Sequence, residues 1–511
     1  MIKIIRSGAH RLELVWVDLL IAYITGIIAF IYNHTLSTTV ANLGYLCKWL
    51  GVFLIGYLIG FVIWRTYNSF KRNLSSLDIV YILLGVCTGT FLNAILISFT
   101  SIREIYNYHD MALHFLLTLL SMGLVRALIR LHYSHYGLRS KMNGSYGLSD
   151  IALFNMEMSE LLSRTPIVVD QENIALKMQG RRILVTGGAG SIGSELVKLL
   201  ATYNPEELIV LDQAETPMHF LGLDIKREFP ELRFVPMLGD IRDKALVERV
   251  FERHRPQIIY HAAAYKHVSM MEENPAECIL NNVGGTLNLA DMAVKYEAEK
   301  FVLISSDKAV NPAGIMGCSK RICEIYCQSL SAAPANTHKC QFVTTRFGNV
   351  LGSNGSVIPI FRDQIRRGGP VTVTHPDVIR YFMLVNEACL LVLEAATLGK
   401  GGEIFVFDMG QPVRIADLAR KMIKISNRSD IKIAYIGLGK NEKLYEEVLT
   451  KTEPVISTTN EKIKIAKVRE YDFEIVCGKI AELMAAARSH NEPEIFRLML
   501  EIVPEYKYKN S

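Results

Sequence analysis

The sequence lacks any block of like charge: 56 lysines and arginines nearly balance 51 aspartates and glutamates, leaving a formal charge of +5 over 511 residues. With neither a Lys/Arg run nor a stripe of basic and aromatic residues, nucleic acid is not an expected partner. CxxC pairs are lacking too, and the nine cysteines are scattered without a regular framework. Cys323 and Cys327 would share a helix face, but no ligand-spaced histidine or third cysteine accompanies them. They read as core residues, and no metal site is expected. Free thiols of this kind suit a reducing cytoplasm. What the sequence has in excess is apolar residues, 50% of the chain. Its mean hydropathy of +0.21 is high for a soluble enzyme of this length.

That excess sits in the first quarter of the chain. Four apolar stretches, Leu14–Tyr32, Leu43–Trp64, Ile79–Phe99 and Met111–Leu131, each come close to the roughly 20 residues that cross a bilayer core. Their polar intruders, Asp18, Lys48, Asn93 and His114, are expected mostly near span ends, where side chains reach the interface. Arg126 and Arg130 interrupt the fourth stretch, which is expected to leave the bilayer early and continue as a helix. No small-residue cleavage site follows the first stretch, and three more come after it, which argues against a signal peptide. Lys3, Arg6 and Arg11 precede the first span; Arg65, Lys71 and Arg72 lie between the second and third; Arg139 and Lys141 follow the fourth. The other two loops hold only Arg103. Positive-inside logic places both termini, and everything after residue 131, in the cytoplasm. Residues 132–180 read as a connector, Gly/Ser/Tyr-rich at its start and with an ordered lead-in at Pro166–Leu176.

From Arg181 the pattern alternates strand and helix. Arg-Ile-Leu-Val-Thr is a β-rich run, followed at once by Gly187-Gly188-Ala189-Gly190-Ser191-Ile192-Gly193 and an amphipathic stretch, Ser194–Tyr203. A second apolar strand, Leu208–Leu211, ends in Asp212. Such glycines permit a tight turn and let the backbone approach a pyrophosphate at a helix N-terminus. An acid about 20 residues on accepts the ribose 2′-hydroxyl and repels a 2′-phosphate, so NAD is favoured over NADP. Further strands end in Asp240-Ile241, in His261-Ala262-Ala263-Ala264 and in Ser305-Ser306-Asp307-Lys308. In an open parallel sheet ligands bind at that edge. His261 and His267 are read as loop residues rather than metal ligands.

TGGAGSIGSE, GDIRD, HAAAYKHV, NNVGGTLN, SSDKAVNP, MGCSK, RFGNVLGSNGSV and VTHPDVIRYFM follow in order from Thr186 to Met383. Together they resemble the extended short-chain dehydrogenase/reductase superfamily. The closer resemblance is to the membrane-bound UDP-N-acetylglucosamine 4,6-dehydratases of bacterial polysaccharide and glycoprotein-sugar biosynthesis, over about residues 165–470. The fold so implied is a four-span α-helical anchor (1–131) and a cytoplasmic linker (132–180). A Rossmann-type NAD-binding domain (181–346), a smaller UDP-sugar lobe with mixed return segments (347–490) and a loosely packed tail (491–511) follow. Larger members of that family carry an additional nucleotide-binding-like domain after the anchor, and the connector here is too short for one.

The resemblance also implies roles. Eliminating water across C5–C6 of a hexose requires C4 to be oxidised first, because a 4-ketone makes the C5 proton acidic. Asp307 would protonate the departing C6 hydroxyl and Lys308 would remove the C5 proton, which asks for a protonated carboxyl and a neutral amine. Ser306 would hold the C4 hydroxyl. The superfamily's Tyr-x-x-x-Lys pair reads Met316-x-x-x-Lys320. Met316 cannot act as a base, and Lys320, one helical turn on, would bind the nicotinamide ribose. Either the site is inactive, or Asp307 takes the C4 proton directly or through water; the membrane-bound dehydratases share this methionine and retain C5 configuration. Asp240 and Ile241 would hold adenine, and Ala262 and Ala263 would line the cofactor channel. Lys266 and Asn282 would line the sugar site, and Asn349 and Arg380 would meet the UDP group. The alternatives are a nucleotide-sugar 4-epimerase, a C5-inverting dehydratase, or a non-catalytic membrane scaffold that binds a nucleotide sugar. The expected location is the bacterial inner membrane, and a homodimer is expected by analogy with the fold.

Overall fold

The computed structural model describes residues 2–64, 76–139, 167 and 169–507, apart from residues 354, 440, 448, 450–453 and 467–469. The charges of the loop after the second span (Arg65, Lys71, Arg72), Lys141, most of the connector and the last four residues lie outside them. The chain divides into two compact units, residues 1–145 and 146–511.

The first unit contains four long helices, α1 (Ile2–Asn33), α2 (Leu36–Ile63), α3 (Ser76–Ser98) and α4 (Tyr108–Arg139). Each is long and apolar enough to cross a membrane, over Val15–Asn33, Leu36–Ile63, Val80–Ser98 and Tyr108–Val125. Trp16, Leu20, Val62, Phe91 and Leu120 are exposed on the outside, an apolar surface that suits lipid and not water. Inside, three of the polar intruders correct the sequence expectation: Asp18, Asn93 and His114 are buried within the bundle instead of reaching out from its ends. Asn93 donates to the Phe53 carbonyl (3.1 Å). His114 bridges the Ala22 carbonyl (2.8 Å) and the Tyr106 hydroxyl (2.9 Å). In hydrocarbon such groups must find partners on neighbouring helices, so they tie helices together. The fourth helix does continue unbroken past its apolar part, as its arginines suggest.

Glycines at four-residue spacing bring α2 against α3. A Cβ at Gly60 would lie 2.3 Å from the Gly85 carbonyl oxygen, and one at Gly56 would lie 2.3 Å from Asn93 Oδ1. Small residues let helix backbones touch where no hydrophobic effect drives association. Gly60→Val is therefore expected to cost about 1–3 kcal/mol by overpacking. The check is the temperature at which the detergent-purified protein aggregates, which should fall.

The second unit is built on one sheet of nine strands. They are β1 (Arg182–Thr186), β2 (Glu207–Asp212), β3 (Phe234–Leu238), β4 (Ile258–His261), β5 (Lys300–Ile304), β6 (Gln341–Arg346), β7 (Ile404–Phe407), β8 (Val455–Ser457) and β9 (Ile463–Ala466). The spatial order is β8-β9-β7-β6-β5-β4-β1-β2-β3. The seven strands from β3 to β7 run parallel, and β9 and β8 add an antiparallel edge. Apolar residues on alternate positions face opposite sides: Ile183 and Val185 join one core, Leu184 the other. The crossovers are α5 (Ser191–Thr202), α6 (Ile315–Ala332) and α7 (Val385–Leu398) among others.

The C-terminal helices α8 (Phe473–Arg488) and α9 (Glu492–Ile502) close one face. Ile495, Leu498, Met499, Val503 and Tyr506 are buried there. The expected loose tail beyond residue 490 is thus corrected: its apolar residues at helical spacing form a core element. Residues 347–490 are also divided, since α7, β7 and β9 belong to the main sheet and its cover. A separate small core of Ile358, Phe361, Val371, Val378, Leu418 and Met422 forms the lobe beside it.

Candidate active site

Strand order reverses direction between β1 and β4, and their carboxyl ends open into a cavity of about 970 Å³. This is where an open parallel sheet leaves a crevice. Gly187, Gly190, Ser191, Ile192 and Gly193 line one end of it. Gly187 has φ +67°, and a Cβ there would sit 2.5 Å from Ala263 N. At Gly193 a Cβ would lie 2.1 Å from the Gly187 carbonyl oxygen. The first turn of α5 therefore lies flush against the loop, with its N-terminus toward the crevice. Asp212 stands beside this loop, its two carboxylate oxygens accepting from Ala189 N and Ala214 N, both at 2.9 Å.

The other end carries the chemistry-bearing turn. β5 runs into Ser305-Ser306 and a single 3-10 turn, Asp307–Ala309. Ser306 Oγ caps that turn, accepting from Lys308 N (3.3 Å) and donating to Asp307 Oδ1 (2.8 Å). Asp307 N donates to the Phe347 carbonyl (3.0 Å), which ties the turn to the end of β6. Asp307 is buried beneath the cavity floor, and Lys308 lines it with Ser306, Met316, Lys320 and Asn349. Met316 and Lys320 stand one turn apart on α6, and Lys320 Nζ makes no hydrogen bond to a described residue.

Lys308 Nζ donates to Asp307 Oδ1 (3.2 Å), Asn349 Oδ1 (3.1 Å) and Glu446 Oε2 (2.9 Å). Burial opposes the Lys308 charge, but Asp307 and Glu446 outweigh it, so its pKa lies above the ordinary lysine value. The expectation of a neutral Lys308 is corrected for this state: two carboxylates hold it as an ammonium. Asp307 shifts in the opposite sense from an ordinary ion-paired carboxylate. Burial pushes its carboxyl up to about 7, against the pull of Lys308 and with help from the neighbouring Glu446. Glu446 goes the other way: burial is overcome by Lys308, Asp307 and Arg380, and its carboxyl lies well below the usual range. Two neighbouring carboxyl groups thus have their pKa values pushed apart by their surroundings.

Glu446 escaped the sequence reading because it lies 138 residues from Lys308 in an acidic pair that matches no motif. A parallel bridge between Ile379 and Tyr445 brings it in. The same bridge seats Arg380, whose guanidinium meets Glu442 (3.0 Å) and Glu446 (3.3 Å). Arg380 lines the cavity, as do Lys266 and Ala262. Burial lowers the Lys266 pKa.

Four other residues lie off the cavity wall. Asn282 is buried, its amide accepting from Tyr265 N (2.8 Å) and donating to the Tyr265 carbonyl (3.1 Å) and Ser319 Oγ (3.0 Å), so it braces the loop instead of facing the cavity. Ile241 is buried against Gly285, Asp240 pairs with Arg242, and Ala263 packs on Gly187. Both ring nitrogens of His261 are engaged by Thr186 (2.8 Å) and Thr286 (2.9 Å).

A seven-stranded parallel sheet, a glycine cradle at its switch point and a polar turn after β5 define a Rossmann-type protein of the extended short-chain dehydrogenase/reductase class. The profile of the family described as Polysaccharide biosynthesis protein matches residues 183–468, and the chain belongs to that family. It is 45% identical over 322 residues to the capsular polysaccharide biosynthesis protein CapD of Staphylococcus aureus, covering 62% of this chain and 53% of that one. An uncharacterized membrane protein of Methanocaldococcus jannaschii is 43% identical, over 55% of this chain and 84% of its own. Among solved structures, Pen from Bacillus thuringiensis superposes with a TM-score of 0.53 at 32% identity, over 57% of this chain and 88% of that one. The chain spans about half the length of CapD and of a similarly sized curated relative.

Proposed function

We propose that this protein is a membrane-associated, NAD-dependent 4,6-dehydratase of a nucleotide sugar, UDP-N-acetylglucosamine, supplying a 4-keto-6-deoxy sugar for polysaccharide synthesis. The observation that carries the reading is the half-buried Lys308 after β5, held between the buried carboxyl groups of Asp307 and Glu446 in the same cavity as the glycine loop. A Cβ at Gly187 would strike the Ala263 backbone and one at Gly193 the Gly187 carbonyl, so only glycine lets the loop and the first turn of α5 close up with their backbone lining the cavity, an arrangement that fits a dinucleotide pyrophosphate. The α5 N-terminus would hold the phosphates, Asp212 the adenosine ribose and Lys320 the nicotinamide ribose. When bound, the cofactor supplies a hydride acceptor for C4 and later returns the hydride to C6.

The chain's own residues move the protons. Met316 has none to move, and Asp307 takes the C4 hydroxyl proton. With the ketone formed, Lys308 in its neutral form removes the C5 proton, and Asp307 gives its proton to the C6 hydroxyl as it leaves. Lys308 then returns its proton to C5; a single base working from one face gives retention. Arg380 and Asn349 are placed to meet the UDP group.

Detergent-purified protein with UDP-N-acetylglucosamine should yield a product lighter by one water, with a 4-keto and a 6-methyl group by NMR. A C4 epimer of unchanged mass would replace this reading with an epimerase, and an inert protein that still binds UDP would replace it with a scaffold. The pH profile follows from Asp307. Its pKa is raised to about 7, and the first step needs its ionised form, so kcat/KM should rise with pH through about 7 and then level. A profile flat from pH 5 to 8, on an approximate scale set by ordinary carboxylate values, would remove Asp307 from the first step.

A further inference from the structure

The proposed chemistry needs Lys308 neutral, and the carboxyl groups of Asp307 and Glu446 at 3.2 and 2.9 Å from its Nζ favour its charged form. Its proton has a place to go. Among the three acceptors around Lys308 Nζ, Glu446 Oε2 is nearest at 2.9 Å; Asn349 offers an amide oxygen that cannot take a proton, and Asp307 is reserved for the C4 hydroxyl. What makes Glu446 a poor acceptor as it stands is its second cation. Arg380 Nε lies 3.3 Å from Glu446 Oε1, while Arg380 also contacts Glu442. Arg380 is at the same time a cavity-lining guanidinium suited to a diphosphate. The arginine thus already has two carboxylates, Glu442 and the Glu446 that touches Lys308, and a diphosphate would compete with both.

We infer that Glu446 is the proton acceptor that neutralises Lys308, and that the substrate's diphosphate switches it on by drawing Arg380 away. This rests on the proposed dehydratase reading and deepens it. The step balances: an N–H bond of the Lys308 ammonium breaks, an O–H bond forms on Glu446, and the lysine keeps its electron pair as a neutral amine. No oxidant or further reactant is required. Losing Arg380 raises the proton affinity of Glu446, and transfer from Lys308 becomes easier in the same event that seats the sugar. The charged and titratable groups facing Glu446 are Asp307 and Lys308 from the β5 turn and Arg380 from the lobe. Lys443 and Glu442 lie on its own segment, and Lys443 Nζ is held by the Val310 carbonyl (2.8 Å). The arrangement keeps Lys308 protonated until a substrate is present, which protects the site from premature proton loss. Glu446 acts through Lys308 and is a positioning residue in this scheme.

The test uses the full-length protein in detergent and the variant Glu446→Gln. Glutamine removes one of the two carboxylates that compete for Arg380, so UDP alone should bind several-fold more tightly by calorimetry. It also removes the acceptor, so elimination should slow by about 100-fold, at the low end of general-base effects. Oxidation at C4 should persist, leaving a 4-keto sugar that still carries its C6 hydroxyl. The acid limb of kcat/KM should move to lower pH, because the charge that helps raise Asp307 is gone. A residue with only a packing role would weaken UDP binding and slow both steps together. UDP binding that is unchanged or weaker, or elimination at the wild-type rate, overturns the inference. Glu446→Asp is the second variant if the first fails to fold: a carboxylate drawn back by one methylene should give the same two changes at smaller size. If wild-type protein does not dehydrate the sugar, the function fails on its own; tighter UDP binding by Glu446→Gln would still identify the Arg380 competition.

Discussion

Replacing Lys308 with methionine is expected to cut formation of the dehydrated sugar by about 1000-fold, within the range for loss of a general acid or base. Methionine keeps an unbranched side chain and removes the amine. The loss reaches beyond the C5 proton. Lys308 is the cation that allows Asp307 and Glu446 to ionise side by side, at 3.2 and 2.9 Å from its nitrogen. Without it, two buried carboxylates face each other, and like charges that close do not both ionise. Glu446 keeps Arg380, so Asp307 is the one held protonated, and the C4 hydroxyl loses its base at neutral pH. Lys308→Met should therefore block oxidation as well as elimination, which separates it from Glu446→Gln, where oxidation persists. UDP should still bind, because Arg380 remains. Product analysis by mass spectrometry beside UDP calorimetry makes the check. Undiminished turnover in the variant would remove Lys308 from the chemistry; a wild-type protein that binds UDP and makes no product would favour the scaffold.

Much of this arrangement is legible in the chain because it is local. The run from β1 through Gly187–Gly193 to α5 is one continuous stretch whose backbone demands decide its residues. The turn Ser306-Asp307-Lys308 likewise comes from a single strand end. The spans are legible by length and composition. What escapes is what depends on distant chain. Glu446 becomes part of the site only through the bridge between Ile379 and Tyr445, and it reverses the expected charge state of Lys308. Asn282 sits in a motif and near the site, yet its amide is spent on Tyr265 and Ser319, a fact that no spacing conveys. Asn93 and His114 lie within apolar runs, where hydropathy marks them as interruptions without telling which helix offers a partner. The terminal helix α9 is not legible as a core element, because a short amphipathic segment has the same pattern whether or not a core awaits it.

Glu324→Ala is expected to produce the largest loss of stability, about 3–5 kcal/mol, because it removes the buried carboxylate that two buried guanidinium groups share. Glu324 lies on α6 with its carboxylate fully buried, clasped by Arg346 through two bonds (2.8 and 2.6 Å) and by Arg321 (3.0 Å), and it also accepts from Ser305 Oγ (2.6 Å). Arg346 is 1% exposed, so water cannot replace the two bonds it loses. Arg321 fares better, since Glu505 and Tyr471 remain to it. The contrast variant is Glu505→Ala, which removes a partly exposed partner and should cost no more than about 1 kcal/mol. Thermal unfolding of detergent-purified protein, followed by tryptophan-independent light scattering, should show a drop of several degrees for the first and little for the second. Acid gives the same result by another route. Burial alone would raise the Glu324 pKa, but Arg346 and Arg321 hold it below its ordinary value. A lowered folded-state pKa means the stabilisation is complete above the ordinary value and is lost as pH falls through the folded one. Acid destabilisation should therefore be blunted in Glu324→Ala relative to wild type. The clasp also reaches the site: Ser305 leads into the turn that carries Asp307 and Lys308, and Arg346 precedes Phe347, whose carbonyl accepts from Asp307 N. Any folded Glu324→Ala protein should consequently turn over more slowly at unchanged UDP affinity, since what it loses is the placement of Asp307 and not the Arg380 subsite.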